Sequence, residues 1–244
     1  MKKFVITLAA LAFGAGAALA QDTTVRIATE GAYPPFNFIN DDNELDGFER
    51  ELGDVLCQRA KLTCEWVIND WDTLIPNLVA GNYDVIMAGM AITEARAEII
   101  SFTQNYLQPE PSAFVTLEGR DASVLDGVVA TQSNTVHATY IAETGASLLE
   151  FPTTDEIVAA VRTGEADAVL ASREFLTPIV EESGGELIFV GEDVLIGHGV
   201  AMGLRQSDDE LRGTFDAAIS EMKQDGSLNK IIVKWFGDDA DLLY

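Results

Sequence analysis

Short apolar runs alternate along this chain with segments whose apolar residues recur at helical spacing. Strands are predicted at 24–29, 63–68 and 83–88, with helices at 47–61 and 71–80 between them. Within 47–61, Phe48, Leu52, Val55, Leu56 and Ala60 mark one helical face. The scheme then repeats, with strands at 127–131, 166–171 and 186–190 and helices at 135–143, 154–163 and 174–182. Apolar strands alternating with helices predict an α/β protein whose parallel sheets are covered on both faces.

Two stretches echo each other. Residues 78–89 read LVAGNYDVIMAG and 161–172 read VRTGEADAVLAS, matching at Gly81/Gly164, Asp84/Asp167 and Ala88/Ala171. The echo predicts two lobes built alike, and helix-end turn chemistry accounts for its glycines and aspartates without a ligand. A second pair, IATE at 27–30 and VATQ at 129–132, ends each β-branched run where a loop takes over. Glu30 and Gln132 are thereby expected to face the gap between lobes, where open α/β sheets take ligands.

The segment between the lobes, 106–116, reads YLQPEPSAFVT; Pro109 and Pro111 bracket Glu110 and exclude a helix. It predicts one crossing, and the glycine-punctuated 196–204, IGHGVAMGL, predicts the return. Helices follow at 208–223 and 227–236, the last ending in the apolar set Ile231, Ile232, Val233, Trp235 and Phe236. These side chains need a lobe to pack on, and the first is nearest after a return. The expected organisation is 21–109 with 203–244 as the first lobe and 110–202 as the second. Two connecting strands make that a closing clamp.

The chain starts differently. Lys2 and Lys3 precede an alanine-rich apolar run, and Ala18-Leu19-Ala20 supplies a small-residue cleavage pattern, so 1–20 is expected to be an export signal. No other stretch nears the ~20 apolar residues of a membrane span, and a soluble periplasmic product is expected. Forty acids stand against 15 basic residues, and loss of two leader lysines brings the formal charge to about −27. Such a field disfavours nucleic acid and anionic lipid and favours a cationic ligand. Cys57 and Cys64 are the only cysteines. Export predicts a disulfide between them, joining a helix end to the next strand. Two cysteines and two distant histidines lack metal-ligand spacing, so neither metal nor cofactor is expected.

Several motifs together resemble the periplasmic solute-binding proteins of family 3, the polar amino-acid-binding proteins of ABC importers. They are GAYPPF at 31–36, LDGFE at 45–49, DTLIPNL at 72–78, YDVIMAGMAITEAR at 83–96 and MGLR at 202–205. The resemblance spans 24–237 and includes the cysteine pair of the lysine/arginine/ornithine and histidine binders. It implies a type II periplasmic-binding-protein fold, a monomer that closes on a polar, basic amino acid, and an ABC permease as partner. Arg96, after Ile92 and Thr93, is implied as carboxylate anchor, because a guanidinium donates two parallel hydrogen bonds. Backbone N–H groups of Gly89 and Ala91, and the helix start at Thr135, are expected to add donors. Tyr33 and Trp71 are implied to sandwich the ligand side chain, and Glu30 and Glu49 to face its cationic end.

The departures concern the amine. Where relatives carry hydroxyl residues this chain has Ala88 and Ala91, and where they carry an aspartate for the α-ammonium it has Ser172. Loss of that carboxylate suits an opine, whose amine bears a second carboxyl group. The octopine- and nopaline-binding branch resembles this chain in ATEGAY, LDGFE and the Trp71-Asp72 pair, and also lacks the aspartate. His137 and His198 are then candidates for holding the additional carboxylate. A dehydratase-like enzyme is the competing class, since relatives on this fold include dehydratases, but no nucleophile setting, metal cluster or phosphate loop stands out. A binding protein is expected, not an enzyme.

Overall fold

The structure, a computed structural model, describes residues 24–238 together with Ala240 and Leu242. The expected leader at 1–20, and Asp239 and Asp241 of the acidic end, lie outside the described residues. Two five-stranded sheets form the frame. The first runs in the order Cys64–Ile68, Val25–Thr29, Val85–Ile86, Gly203–Leu204, Ser101–Phe102. The second runs Ser147–Phe151, Val128–Gln132, Ala168–Ser172, Pro111–Leu117, Leu187–Leu195.

Neither sheet is wholly parallel, which corrects the sequence expectation. Gly203–Leu204 is antiparallel to Val85–Ile86, and Pro111–Leu117 is antiparallel to Ala168–Ser172. The reason is how the chain enters each lobe. Both odd strands follow a crossing and begin beside the last residues of their neighbours: Gly203 pairs with Ile86, and Ser112 with Ser172. They therefore run away from the cleft while their neighbours run toward it. The two crossings touch, with Leu107 and Val200 forming a bridge and the Tyr106 N–H donating to the Val200 carbonyl at 2.8 Å.

Apolar residues on alternate strand positions explain why both faces are covered. Under one face of the first sheet lie Leu52, Leu56, Phe215, Ile219 and Ile232, from helices Phe48–Ala60, Asp209–Gln224 and Ser227–Phe236. Leu74 and Leu78 of the helix Leu74–Val79 cover the other. In the second sheet, Thr154–Thr163 and Arg173–Glu182 pack Ile157, Val161, Phe175 and Leu176 on one face. Ile141 of Val136–Ala142 packs on the other. Each fully buried aliphatic side chain contributes roughly 1.5–3 kcal/mol.

Some elements differ from the periodicity reading. The stretch 71–80 is a 3-10 turn, Trp71–Thr73, leading into a six-residue helix. Ser147–Phe151 is a strand that the periodicity does not announce, since it is an edge with a mixed face. A small antiparallel sheet, Ala32–Tyr33, Asn37–Ile39 and Leu45–Asp46, carries the GAYPPF turn, in which Pro34–Pro35 is cis. Cys57 and Cys64 are disulfide-bonded, tying the helix Phe48–Ala60 to the edge strand Cys64–Ile68. Closing so short a loop stabilises by about 2–3 kcal/mol.

Candidate ligand-binding site

Carboxyl ends of strands from both sheets meet at one cavity. Glu30 follows Val25–Thr29, Ala88 and Gly89 follow Val85–Ile86, and Gln132 ends Val128–Gln132. They line it with Tyr33, Trp71, Ala91, Arg96, Thr135, Val136 and His137. A recess shares Tyr33, Gly89, Ala91, Val136 and His137 with this cavity and adds Glu110, Ser112 and Ser172.

Arg96 is a half-buried cation without a carboxylate partner among the described residues. Thr93 caps its short helix Glu94–Ala97, accepting from the Arg96 N–H at 3.2 Å. The guanidinium donates to the Ala91 carbonyl at 2.8 Å and the Asn134 carbonyl at 3.0 Å. It also lies over the Trp71 ring, 5.4 Å from the centroid. Burial lowers its pKa to about 10, so it stays charged at neutral pH and an anion there would regain lost solvation.

Glu30 behaves in the opposite sense. Burial, helped by Asp72 and Asp70 nearby, raises its pKa to about 7 against the hydrogen bond from Gln132. That bond, Gln132 Nε2 to Glu30 Oε1 at 2.6 Å, joins the lobes. The cavity thus has a cationic wall at Arg96 and a carboxylate at Glu30, with Tyr33, Trp71 and Ala88 also on its surface. A cation near Glu30 would hold it ionised.

The lobes meet through other contacts as well. Tyr33 donates to Ser172 Oγ at 2.9 Å, accepts from the Ser172 N–H at 3.2 Å and stacks on Phe175 at 4.5 Å. Trp71 Nε1 donates to the Ser133 carbonyl at 3.0 Å, and Asp72 accepts from Ser133 Oγ at 2.8 Å and Asn134 Nδ2 at 3.0 Å. Asp72, Ser133 and Asn134 escape sequence reading as a set, because their pairing spans 61 and 62 residues. Only the tryptophan–aspartate pair stands out locally.

Three expectations meet a different geometry. Glu49 is fully buried behind the cavity wall, bound by Asn37, Gly89 and Tyr106, so its carboxylate does not reach the cavity. The Gly89 N–H donates to Glu49 at 2.7 Å and is not free for a ligand. His198 lies exposed on the returning segment and lines neither recess; it sits in a bend between Gly197 and Gly199, both with positive φ, ahead of the buried Val200. His137 does line both, beside Ser112 Oγ at 3.0 Å. Burial and the Arg96 charge push its pKa down to about 4, so it offers a neutral ring and no positive charge. The Thr135 hydroxyl is engaged as a helix cap, donating to the Gln132 carbonyl at 2.6 Å and accepting from the Ala138 N–H at 3.2 Å.

Among the described residues no group of three or more metal-binding side chains occurs, and no helix is long and apolar enough to cross a membrane.

Known proteins share this build. The octopine-binding periplasmic protein of Rhizobium meliloti is 33% identical, over 96% of this chain and 97% of that relative. The L-arginine-binding protein of Pseudomonas aeruginosa is 32% identical over 91% of each. A solved periplasmic His/Glu/Gln/Arg/opine family-binding protein from Silicibacter pomeroyi, in complex with lysine, is 65% identical. It superposes with a TM-score of 0.87 over 89% of this chain and 99% of its own. The sequence model for bacterial extracellular solute-binding proteins, family 3, matches residues 25–238. Fold, cavity and sequence agree: the chain belongs to the bacterial extracellular solute-binding proteins of family 3.

Proposed function

We propose that this protein is the periplasmic binding component of an ABC importer for a basic amino acid of the lysine, arginine or ornithine kind. One observation carries the reading: a single cavity joins Arg96, a guanidinium with no carboxylate partner among the described residues, to a half-buried carboxylate, Glu30. The α-carboxylate binds Arg96 in bidentate fashion, and the side-chain cation reaches Glu30. Tyr33 and Trp71 flank the aliphatic part, where a cation–π contact contributes roughly 0.5–2 kcal/mol. Ala88, Gly89, Ala91, Gln132, Thr135, His137 and Ser172 complete the walls in this reading.

Residues 21–109 with 203–244 move as one unit and 110–202 as the other, about crossings near 106–116 and 196–204. Ligand favours the closed state because Arg96 and Glu30 of one unit and Gln132 and Thr135 of the other contact it together only then. The protein works as an exported monomer that hands its ligand to the permease, without chemical turnover.

A second reading, an opine or other N-substituted arginine derivative, is favoured by the recess beside Ser172. Ser112, Ser172 and neutral His137 line it and offer hydrogen bonds to a second carboxylate, while Glu110, which lines it too, opposes one by like charge. The test is a thermal-shift panel of arginine, ornithine, lysine, histidine, glutamine, octopine and nopaline on the mature protein. A ligand at a hundred times its Kd stabilises by about 2.7 kcal/mol. Stabilisation by neutral or acidic compounds alone would refute both readings, and conversion of any compound would restore the enzyme class.

A further inference from the structure

Glu49 is the second residue of the helix Phe48–Ala60 and is wholly buried. No cation among the described residues pairs with it. Three donors do: Asn37 Nδ2 at 2.7 Å to Oε2, the Gly89 N–H at 2.7 Å to Oε1, and the Tyr106 hydroxyl to Oε1. Two of these can only donate. A backbone N–H has no lone pair, and the Asn37 amide is oriented by its Oδ1, which accepts the Gly31 N–H at 2.7 Å. The site therefore demands an acceptor at both oxygens, which a carboxylate supplies and a glutamine amide does not. The helix N-terminus adds a favourable field for negative charge. Gly47, with φ 120, lets the helix begin this close to the hairpin: a Cβ there would sit 2.5 Å from the Phe36 carbonyl oxygen.

Each donor belongs to a different working part. Gly89 forms cavity wall, Gly31 and Asn37 frame the turn that carries Tyr33, and Tyr106 starts the crossing to the second lobe. In a trans peptide the carbonyl points opposite to the following N–H. With the Gly89 N–H turned back to Glu49, the Ala88 carbonyl is directed to the opposite side, that of the cavity both residues line.

We propose that Glu49 is a positioning residue for ligand binding, which holds the Ala88-Gly89 peptide, the Tyr33 turn and the start of the crossing segment in one arrangement. It acts through these groups and does not touch the ligand. The ligand used to test it rests on the basic-amino-acid reading above, whereas the Gly89 amide does not.

Glu49→Gln keeps the volume but turns an NH₂ toward either Asn37 Nδ2 or the Gly89 N–H. Lysine affinity, measured by titration calorimetry, is expected to fall at least about tenfold, the loss of one charged hydrogen bond. In the ¹⁵N–¹H spectrum the Gly89 amide proton is expected to move upfield and to exchange faster with solvent. Tyr106→Phe removes one donor of three, and a smaller change in both readouts is expected, of about two- to fivefold in affinity, as for one neutral hydrogen bond. Wild-type lysine affinity in Glu49→Gln, or an unmoved Gly89 resonance, would overturn the proposal. Should Glu49→Gln fail to fold, Tyr106→Phe decides, and unchanged affinity with an unchanged Gly89 resonance overturns it. If the wild-type protein gives no heat with lysine, the basic-ligand reading fails, while the Gly89 resonance still decides the role of Glu49.

Discussion

At one end the two echoing stretches do the same work, and at the other they part. Asp84 accepts from the Arg26 N–H at 3.0 Å and pairs with Arg26 and Arg205. Asp167 accepts from the Val128 N–H at 3.0 Å and pairs with Arg120. Each aspartate pins the first residue of the neighbouring strand, or the residue after it, far from the cleft. Five positions later in each stretch the resemblance ends: Gly89 is fixed from behind by Glu49, while Ser172 reaches across to Tyr33. The lobes share what builds a sheet and differ at strand ends that line the recesses between them. The matching aspartates thus serve the scaffold, whereas the cavity-facing strand ends include both the matched Ala88 and the divergent Gly89.

Four measurements can break or sharpen that contrast. The largest effect is expected from Arg96→Ala, which removes the guanidinium. Two charge-assisted hydrogen bonds at about 1.5–3 kcal/mol each predict at least a hundredfold loss of lysine affinity by calorimetry. Full affinity in the variant would remove Arg96 as the anchor. Next, Ser172→Asp restores an acidic partner for a primary amine, and lysine affinity is expected to rise about tenfold while any octopine affinity falls. Equal changes for both compounds would mean that Ser172 does not discriminate amines.

The third concerns protons. The Glu30 pKa is raised to about 7, so the folded, unliganded protein holds that proton more tightly than the unfolded chain. The resulting stability is complete below about pH 4.5 and is lost as pH rises through about 7. A cation bound beside Glu30 favours the carboxylate, so binding releases the proton. Lysine affinity is expected to rise with pH between 5.5 and 8, by no more than about tenfold per unit, and Glu30→Gln is expected to flatten the profile. A flat wild-type profile would contradict the contact. The smallest effect on binding belongs to Asp84→Asn, at the matching end of the echo. Unfolding free energy is expected to drop by about 1–3 kcal/mol in denaturant titration while lysine affinity stays within about twofold.

The sequence discloses the frame better than the joints. Helices Thr154–Thr163 and Ser227–Phe236 follow their apolar periodicity to the residue, because each buries a continuous stripe and ends at a glycine. Glu30, Gln132 and Gly89 are legible as cleft positions for a similar reason: each ends or follows an apolar strand run. Leu187–Leu195 extends past its apolar part through an irregularity between Val190 and Val194, which no two-residue alternation announces. Antiparallel entry strands depend on where the chain crosses, a property of the whole path. The side to which Glu49 points is set by Gly47 and by the distant Gly89 and Tyr106, so a charged residue that reads as ligand contact lies behind the wall. His198 between two glycines carries no periodic signal.

The disulfide has a consequence for solubility. Cys64–Ile68 is an outer strand of the first sheet, reading CEWVI, with no strand on its other side among the described residues and Ile68 half exposed. Such open edges invite a strand from another molecule. The bond from Cys57 keeps the start of this edge tied to its helix, so that it does not peel off and register with a neighbour. Light scattering under reducing agent, at a temperature where the oxidised protein stays clear, is expected to rise. If it does not, the staple serves folding stability alone, and the sheet defends its rim by the charge of Glu65 and the protein's acidity.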